Sequence, residues 1–282
     1  AVTYLDKTGA EKTATIPVFD LTKDSSAKKL TNAGRKKIKG QKKETRKKRL
    51  LELRSLAIDT ANNTAIITIN TFYEGGLRKF YRQTFRYIKN TGIDNVVLDI
   101  RNNGGGKIRL STLLTKYVSR VNFKVADTSF AITKTLSPYS RYIKQSFINN
   151  LGLFFLTKKN KDGLYHFRHW ERKIYKPKQQ NHYAGNLYVL ISGSTFSASA
   201  LFSNAVKGQP GIVLVGEDTG GGWYGNNGIL IPDIVLPNTH IKVRLPLFRL
   251  VQYNHVVKDG SGIKPDIFIG TNYAALLKGI DY

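Results

Sequence analysis

Cysteine and methionine are both absent from the 282 residues, acids are scarce, and no apolar run reaches eighteen residues. Without cysteine there is no disulfide framework, no thiol nucleophile and no thiolate metal site. Without a long apolar run nothing in the chain spans a membrane as a helix. The chain opens Ala1-Val2-Thr3 with no initiator, so we expect a processed or truncated chain, or one whose methionines were modified and not written out. No charged-then-apolar leader precedes it, and any export signal is expected to have been removed or never present. The 41% hydrophobic and 11% aromatic shares are too high for a disordered chain, which could not bury that much apolar surface.

What is abundant is positive charge: 45 Lys and Arg against 19 Asp and Glu, for a net charge of +26. The excess is uneven. Lys28 to Arg49 holds twelve basic residues against the single acid Glu44, so this one segment supplies +11. Leu30 and Ile38 are its only large apolar residues, too few for a packed core. Like-charge runs of this composition are usually solvated linkers or mobile loops. A polyanion-binding arm is the sharper alternative. No nucleic-acid-binding motif and no interleaved aromatic accompanies the run, so nucleic acid is not favoured as a partner.

Ahead of the run, Val2 to Leu21 reads as strand V-T-Y-L-D, turn K-T-G, strand A-T-I-P-V-F-D, a hairpin around Gly9. Two strands do not stand alone, and these are expected to end a β-rich domain. From Leu51 the pattern alternates strand and helix. Thr64–Phe72 is β-branched and strand-like. Leu77, Phe80, Tyr81, Thr84, Phe85 and Ile88 then recur at helical spacing on one face. Asn95–Ile100 is a short buried strand, and Ile108–Arg120 the next helix. Leu187–Ser192 is again a strand, followed by a helix over Phe196–Lys207 and a strand at Ile212–Gly216. The tail, Ile229–Ile269, is richer in strands. Strands separated by helices predict an α/β core with a largely parallel sheet. We divide the chain into residues 1–27, a basic linker or loop at 28–50, and a core at 51–282.

In such sheets working residues gather in loops at the carboxyl ends of strands. One such loop is Arg101-Asn102-Asn103-Gly104-Gly105-Gly106, whose glycines leave main-chain amides open toward an anion. It matches neither the phosphate loop G-x-x-x-x-G-K-[ST] nor the G-x-G-x-x-G fingerprint, and it also reads as a simple tight turn. The other is Gly193-Ser194-Thr195-Phe196-Ser197-Ala198-Ser199-Ala200, which puts Ser197 in the first turn of a helix, beside free N–H groups and the positive dipole end. A serine there can attack a carbonyl while the Ala198 amide holds the oxyanion. It is equally what a helix cap looks like. No metal or organic cofactor is implied; His166 and His169, in H-F-R-H, lack a nearby acid in a known arrangement.

The order L-D-I-R-N-N-G-G-G, S-T-F-S-A-S-A, V-G-E-D-T-G-G-G, G-I-K-P-D resembles the C-terminal processing (tail-specific) serine peptidase family, over roughly Leu56 to Ile269. The resemblance implies a crotonase/ClpP-like α/β core preceded by a PDZ domain, of which the hairpin would be the end. It implies Ser197 as nucleophile, with the oxyanion hole formed by Ala198 and by Gly105, Gly104 and Gly106 being the neighbouring choices. Two positions depart from the commoner pattern: Ala200 replaces a frequent Glu, and Gly222 stands where Ser-Lys dyad members carry lysine. The T-G-G-G form is similar to the lysine-free branch that includes tricorn core proteases and the modules of interphotoreceptor retinoid-binding protein. In the proteolytic members of that branch a histidine is the base, from a segment ahead of the PDZ-like domain, and this chain is expected to start after it. A carboxylate lies three residues before the Gly of G-x-x-P-D, here Asp259, which reads either as the group orienting the base or as an Asp-Gly turn residue. Of the histidines present (His166, His169, His182, His240, His255), His255 is best placed by sequence to substitute. Lys107 is a further basic group beside the triple glycine.

The resemblance implies a serine endopeptidase acting on a polypeptide, exported to the periplasm or cell envelope. The alternatives are a ligand- or peptide-binding module on the same fold, and a polyanion binder. The polyanion alternative predicts that deleting residues 28–49 abolishes salt-sensitive binding to nucleic acid or anionic vesicles; a binding isotherm unchanged by the deletion removes it.

Overall fold

Alternation between β-branched runs and amphipathic segments builds the architecture. The computed structural model describes residues 2–5, 10–14, 44–45, 47–254, 256 and 259–270. Two compact units divide between Lys47 and Lys48. In the first, β1 (Val2–Leu5) pairs antiparallel with β2 (Glu11–Ala14), Val2 opposite Ala14. The expected hairpin is there, but its second strand begins at Glu11 and not at Ala14. The partner of V-T-Y-L follows the turn directly, and residues 15–20 lie outside the described residues. Most of the basic run lies outside them too.

In the second unit β3 (Arg54–Asp59) and β4 (Thr64–Ile69) lead into helix α1 (Leu77–Thr91) and strand β5 (Asn95–Asp99). Helix α2 (Ile108–Val118) is followed by β6 (Ala126–Ala131), helix α3 (Ser146–Leu156), the short strands β7 (Lys158–Lys159) and β8 (Tyr165–His166), and helix α4 (Arg168–Arg172). Strand β9 (Asn186–Ile191), helix α5 (Ala198–Val206) and β10 (Ile212–Gly216) complete the alternation. The tail carries β11 (Gly225–Asn226), β12 (Asp233–Val235), β13 (Lys242–Arg244), β14 (Arg249–Gln252) and β15 (Ile267–Phe268).

Six strands form the main sheet in the order β15-β10-β9-β5-β4-β3. Every pair is parallel except β3 with β4. The α/β reading with a largely parallel sheet therefore holds. Helix α1 buries Leu77, Phe80, Tyr81, Thr84, Phe85 and Ile88, the face its spacing predicts. All of these except Thr84 join Ile67, Leu98, Val189 and Leu214 in one core, each fully buried large apolar side chain contributing about 1.5–3 kcal/mol. Phe85 stacks on Tyr117 of α2 at 4.7 Å between ring centres.

Three boundaries differ from expectation. β4 ends at Ile69, because Phe72 leaves the sheet edge to bridge Gly106. Helix α2 stops at Val118, where Ser119 turns extended (ψ 136°) and its hydroxyl donates to Val121 O at 2.7 Å. Helix α5 begins only at Ala198, because Ser197 has a positive φ. A whole layer was also absent from the expectation: the antiparallel sheet β11-β14-β6-β8-β7. It has its own cluster of Ala131, Leu136, Ile143, Leu153 and Phe248. Among the described residues no helix is long and apolar enough to cross a membrane.

His166 holds this second sheet to α4. Its ring nitrogens meet Asp162 Oδ2 and Glu171 Oε1, each at 2.7 Å, and Glu171 also accepts from Ser129 N at 2.8 Å. Burial alone would lower the pKa of the ring, but the hydrogen bonds and charges of the two carboxylates outweigh it, and the pKa lies above its ordinary 6.5. A folded-state pKa raised in this way gives stability that is whole below the unfolded value and is lost as pH rises through the folded one. Chemical denaturation from about pH 5.5 to 9 should therefore show the wild type losing stability relative to His166→Gln. Parallel pH curves for the two proteins would contradict this.

Candidate active site

The parallel register of the main sheet brings the two singled-out loops together. β5 pairs with β9 from Asn95↔Asn186 to Asp99↔Leu190, so both strands end at the same level. The loops that follow, residues 100–107 and 192–197, are side by side. β10 ends level with β9, Gly216 opposite Ile191, and adds the third loop, residues 217–222.

Asn103 clamps the first loop. It is fully buried, and its Nδ2 donates to Ile69 O at 2.9 Å while its Oδ1 accepts from Gly105 N at 2.9 Å. Its own carbonyl accepts from Phe196 N at 3.0 Å, tying the triple-glycine loop to the turn that carries Ser197. Phe72 N donates to Gly105 O at 2.8 Å and Lys107 N to Phe72 O at 3.0 Å, so the far side of the loop is held as well. Asp99 takes Arg101 in a two-pronged ion pair, Nη2 to Oδ2 at 2.8 Å and Nε to Oδ1 at 3.1 Å.

A second clamp sets the serine turn. Thr195, fully buried, donates its hydroxyl to Ile100 O at 3.0 Å and accepts from Ser192 N at 3.0 Å. Ser192 Oγ donates to Arg101 O at 2.8 Å. Ser197 then sits at φ 52°, ψ −116°, directly ahead of α5. A positive φ at a non-glycine residue is uncommon and has to be imposed by its surroundings. Here Leu201 N bonds to Ser197 O at 3.0 Å and Gly221 N to Thr195 O at 3.0 Å.

Gly105 shows how tight the meeting is. It has φ 102°, and a Cβ placed on it would lie 2.8 Å from Ser197 Cβ, 2.8 Å from Phe196 O and 3.0 Å from Ala198 N. Only a residue without a side chain lets the loop approach so far. The main chain of Gly105 therefore abuts Ser197 and Ala198. The Gly105 N–H itself, however, is given to Asn103 Oδ1. Gly221 packs in from the third loop: a Cβ there would come 2.7 Å from Ala200 Cβ and 3.1 Å from Ser197 N. A larger side chain at position 200 would collide with this glycine.

The tail supplies neighbours that sequence reasoning missed. A Cβ on Gly228 would lie 3.3 Å from Ser197 Oγ and 3.3 Å from Asn226 Oδ1. Asn226 Nδ2 is buried and has no partner among the described residues. No local signal in N-N-G separates this asparagine from an ordinary turn.

Asp259 is exposed, and its carboxylate accepts from Ser261 N at 2.9 Å. Hydrogen bonding to Ser261 lowers its pKa. Its segment packs on the third loop through the bridge Gly222↔Gly262 and the bond from Trp223 N to Ser261 O at 3.0 Å. The histidines lie elsewhere: His166 on Asp162 and Glu171, His182 Nε2 on Ser119 O at 2.8 Å, His169 and His240 exposed. His255 lies outside the described residues. Lys107 Nζ lies over the Tyr73 ring, 4.9 Å from its centre. Among the described residues none of these groups hydrogen-bonds Ser197 Oγ.

Truncating the first clamp removes two buried hydrogen bonds and leaves a hole. Asn103→Ala should cost about 2–4 kcal/mol, read by denaturant unfolding; a loss under about 0.5 kcal/mol would mean that the clamp carries no load.

Residues 63–269 match the profile of Peptidase family S41. No curated protein matches the chain significantly. Among solved structures, a candidate peptidase from Parabacteroides merdae shares 18% identity at a TM-score of 0.55, covering 81% of this chain and 61% of its own. Mature CPAF in complex with lactacystin shares 14% at 0.54, covering 76% and 49%. The photosystem II D1 C-terminal processing protease shares 20% at 0.42, covering 73% and 42%. The chain thus spans about two fifths to three fifths of the length of these structures. With three site loops in one profile match that spans most of its residues, the chain belongs to peptidase family S41.

Proposed function

We propose that the chain carries the nucleophile of a serine endopeptidase of the C-terminal processing type. The observation that carries this reading is the meeting of Gly105 with Ser197 and Ala198 at 2.8–3.0 Å from its notional Cβ, with Ser197 held at φ 52° ahead of a helix. Ser197 Oγ attacks the carbonyl of a bound polypeptide as a base takes its proton. The oxyanion that develops is met by the Ala198 N–H and the positive end of α5. Gly105 is the proposed second donor, its N–H shared between Asn103 Oδ1 and the oxyanion. Collapse expels the amine with a proton from the base, and water then cleaves the ester to free Ser197.

A serine hydroxyl is a poor nucleophile without such a base, which we assign to a histidine, oriented by Asp259 directly or through the Ser261 hydroxyl. No metal or organic cofactor enters the scheme. The wider reading includes a crotonase/ClpP-like core at residues 51–282, a PDZ-like end at 1–27, a basic linker at 28–50, and export to the periplasm or cell envelope. The compact unit that begins at Lys48 supports a core that starts near residue 51.

A second reading keeps the cleft as a binding site without chemistry. It is favoured by one observation: none of the described histidines or lysines is bonded to Ser197 Oγ. A fluorophosphonate probe separates the two. On the peptidase reading the folded full-length protein labels, its Ser197→Ala variant does not, and hydrolysis of an unfolded polypeptide falls by about 10⁴-fold or more. Absence of labelling on the folded full-length protein supports the binding module.

A further inference from the structure

A second concentration of cationic side chains lies among residues that do not include Ser197. A cavity of about 480 Å³ opens between α1, α2 and the stretch from Trp170 to Lys178. Arg78 and Arg82 of α1, Arg109 and Lys116 of α2, and Lys173 and Lys178 on the opposite wall line it, with no carboxylate among the lining residues. Among the described residues none of the six is in an ion pair with a carboxylate. Six like charges around one concavity repel each other, and their field concentrates between low-dielectric walls.

Below the charged rim the lining is apolar and aromatic: Leu113, Tyr117, Val125, Trp170 and Tyr175. The walls are fixed. Tyr175 stacks on Phe123 at 5.4 Å and bridges its backbone, and Lys178 N donates to Lys116 O at 2.7 Å. Lys178 Nζ lies 5.0 Å from the centre of the Tyr117 ring. One lining residue is also short of a partner. Thr112 is 6% exposed, and its hydroxyl has no hydrogen bond among the described residues. Its neighbour Thr115 bonds back to Ser111 O at 3.0 Å.

We propose that this cavity binds a small phosphorylated molecule with a flat or apolar body. The volume suits a small ligand, not a polymer. Guanidinium forks and lysines suit phosphate oxygens, and the aromatic floor takes the body. The site does not contain Ser197, and the proposal does not rest on the peptidase reading.

Isothermal titration of the full chain with ADP, dodecyl phosphate and pyrophosphate tests it. ADP or dodecyl phosphate should bind more tightly than pyrophosphate, and whichever is tighter identifies the body as ring or alkyl chain. Arg82→Gln/Lys116→Gln should weaken that binding by about tenfold or more, with thermal unfolding confirming that the variant is folded. Ser197→Ala should bind as the wild type does. Binding that survives the double substitution would place the anion on another basic surface, such as residues 28–49, and overturn the proposal. So would pyrophosphate binding as tightly as both others, or no binding of any of the three.

Discussion

The site depends on one close approach, the bare main chain of Gly105 lying against Ser197 and Ala198. Any side chain at Gly105 would occupy space held by Phe196 O and Ser197 Cβ. Two buried polar side chains hold the approach. Asn103 binds the glycine loop to β4 and, through its carbonyl, to the serine turn. Thr195 binds the serine turn back to the end of β5. In a buried setting these bonds cannot be exchanged for water, so losing one leaves an unsatisfied group and not merely a weaker contact. Rigidity of this kind is what a strained φ at Ser197 requires to persist.

The sheet explains why the clamps can exist. Parallel pairing of β5, β9 and β10 ends three strands at one level, and each is followed by a loop that contributes to the site. Gly228, just after β11 of the antiparallel second sheet, comes close to Ser197 as well, a Cβ placed on it lying 3.3 Å from the hydroxyl oxygen. The same layering, with α4 and the 173–178 stretch against α2, leaves the cationic cavity on a different side of the chain's core helices.

Charge is divided in a parallel way. The run at 28–49 is visible as composition alone. The cavity cations are spread over α1, α2 and residues 173–178, each unremarkable in its own segment. Only folding makes them neighbours, and their chemistry as a group arises from that proximity.

Much of the main sheet was legible because its signals are local. The buried face of α1 follows from the 3.6-residue period, and β10 from a run of β-branched and aliphatic residues bounded by glycines. The order of the four motifs carried the family, and Ser197 and Gly105 came with it. The second sheet was not legible: β7, β8 and β11 are two residues each, and their partners are far away in sequence. Nor were the roles of Asn103, Thr195 and Asn226, since an asparagine or threonine in a loop looks like any turn residue until its partner is known. Sequence by itself determined the main-sheet strands and the helices between them, because period and β-branching act over a few residues. Tertiary structure alone decided which loops meet, because hydrogen bonds such as Phe196 N to Asn103 O join residues that no local pattern connects.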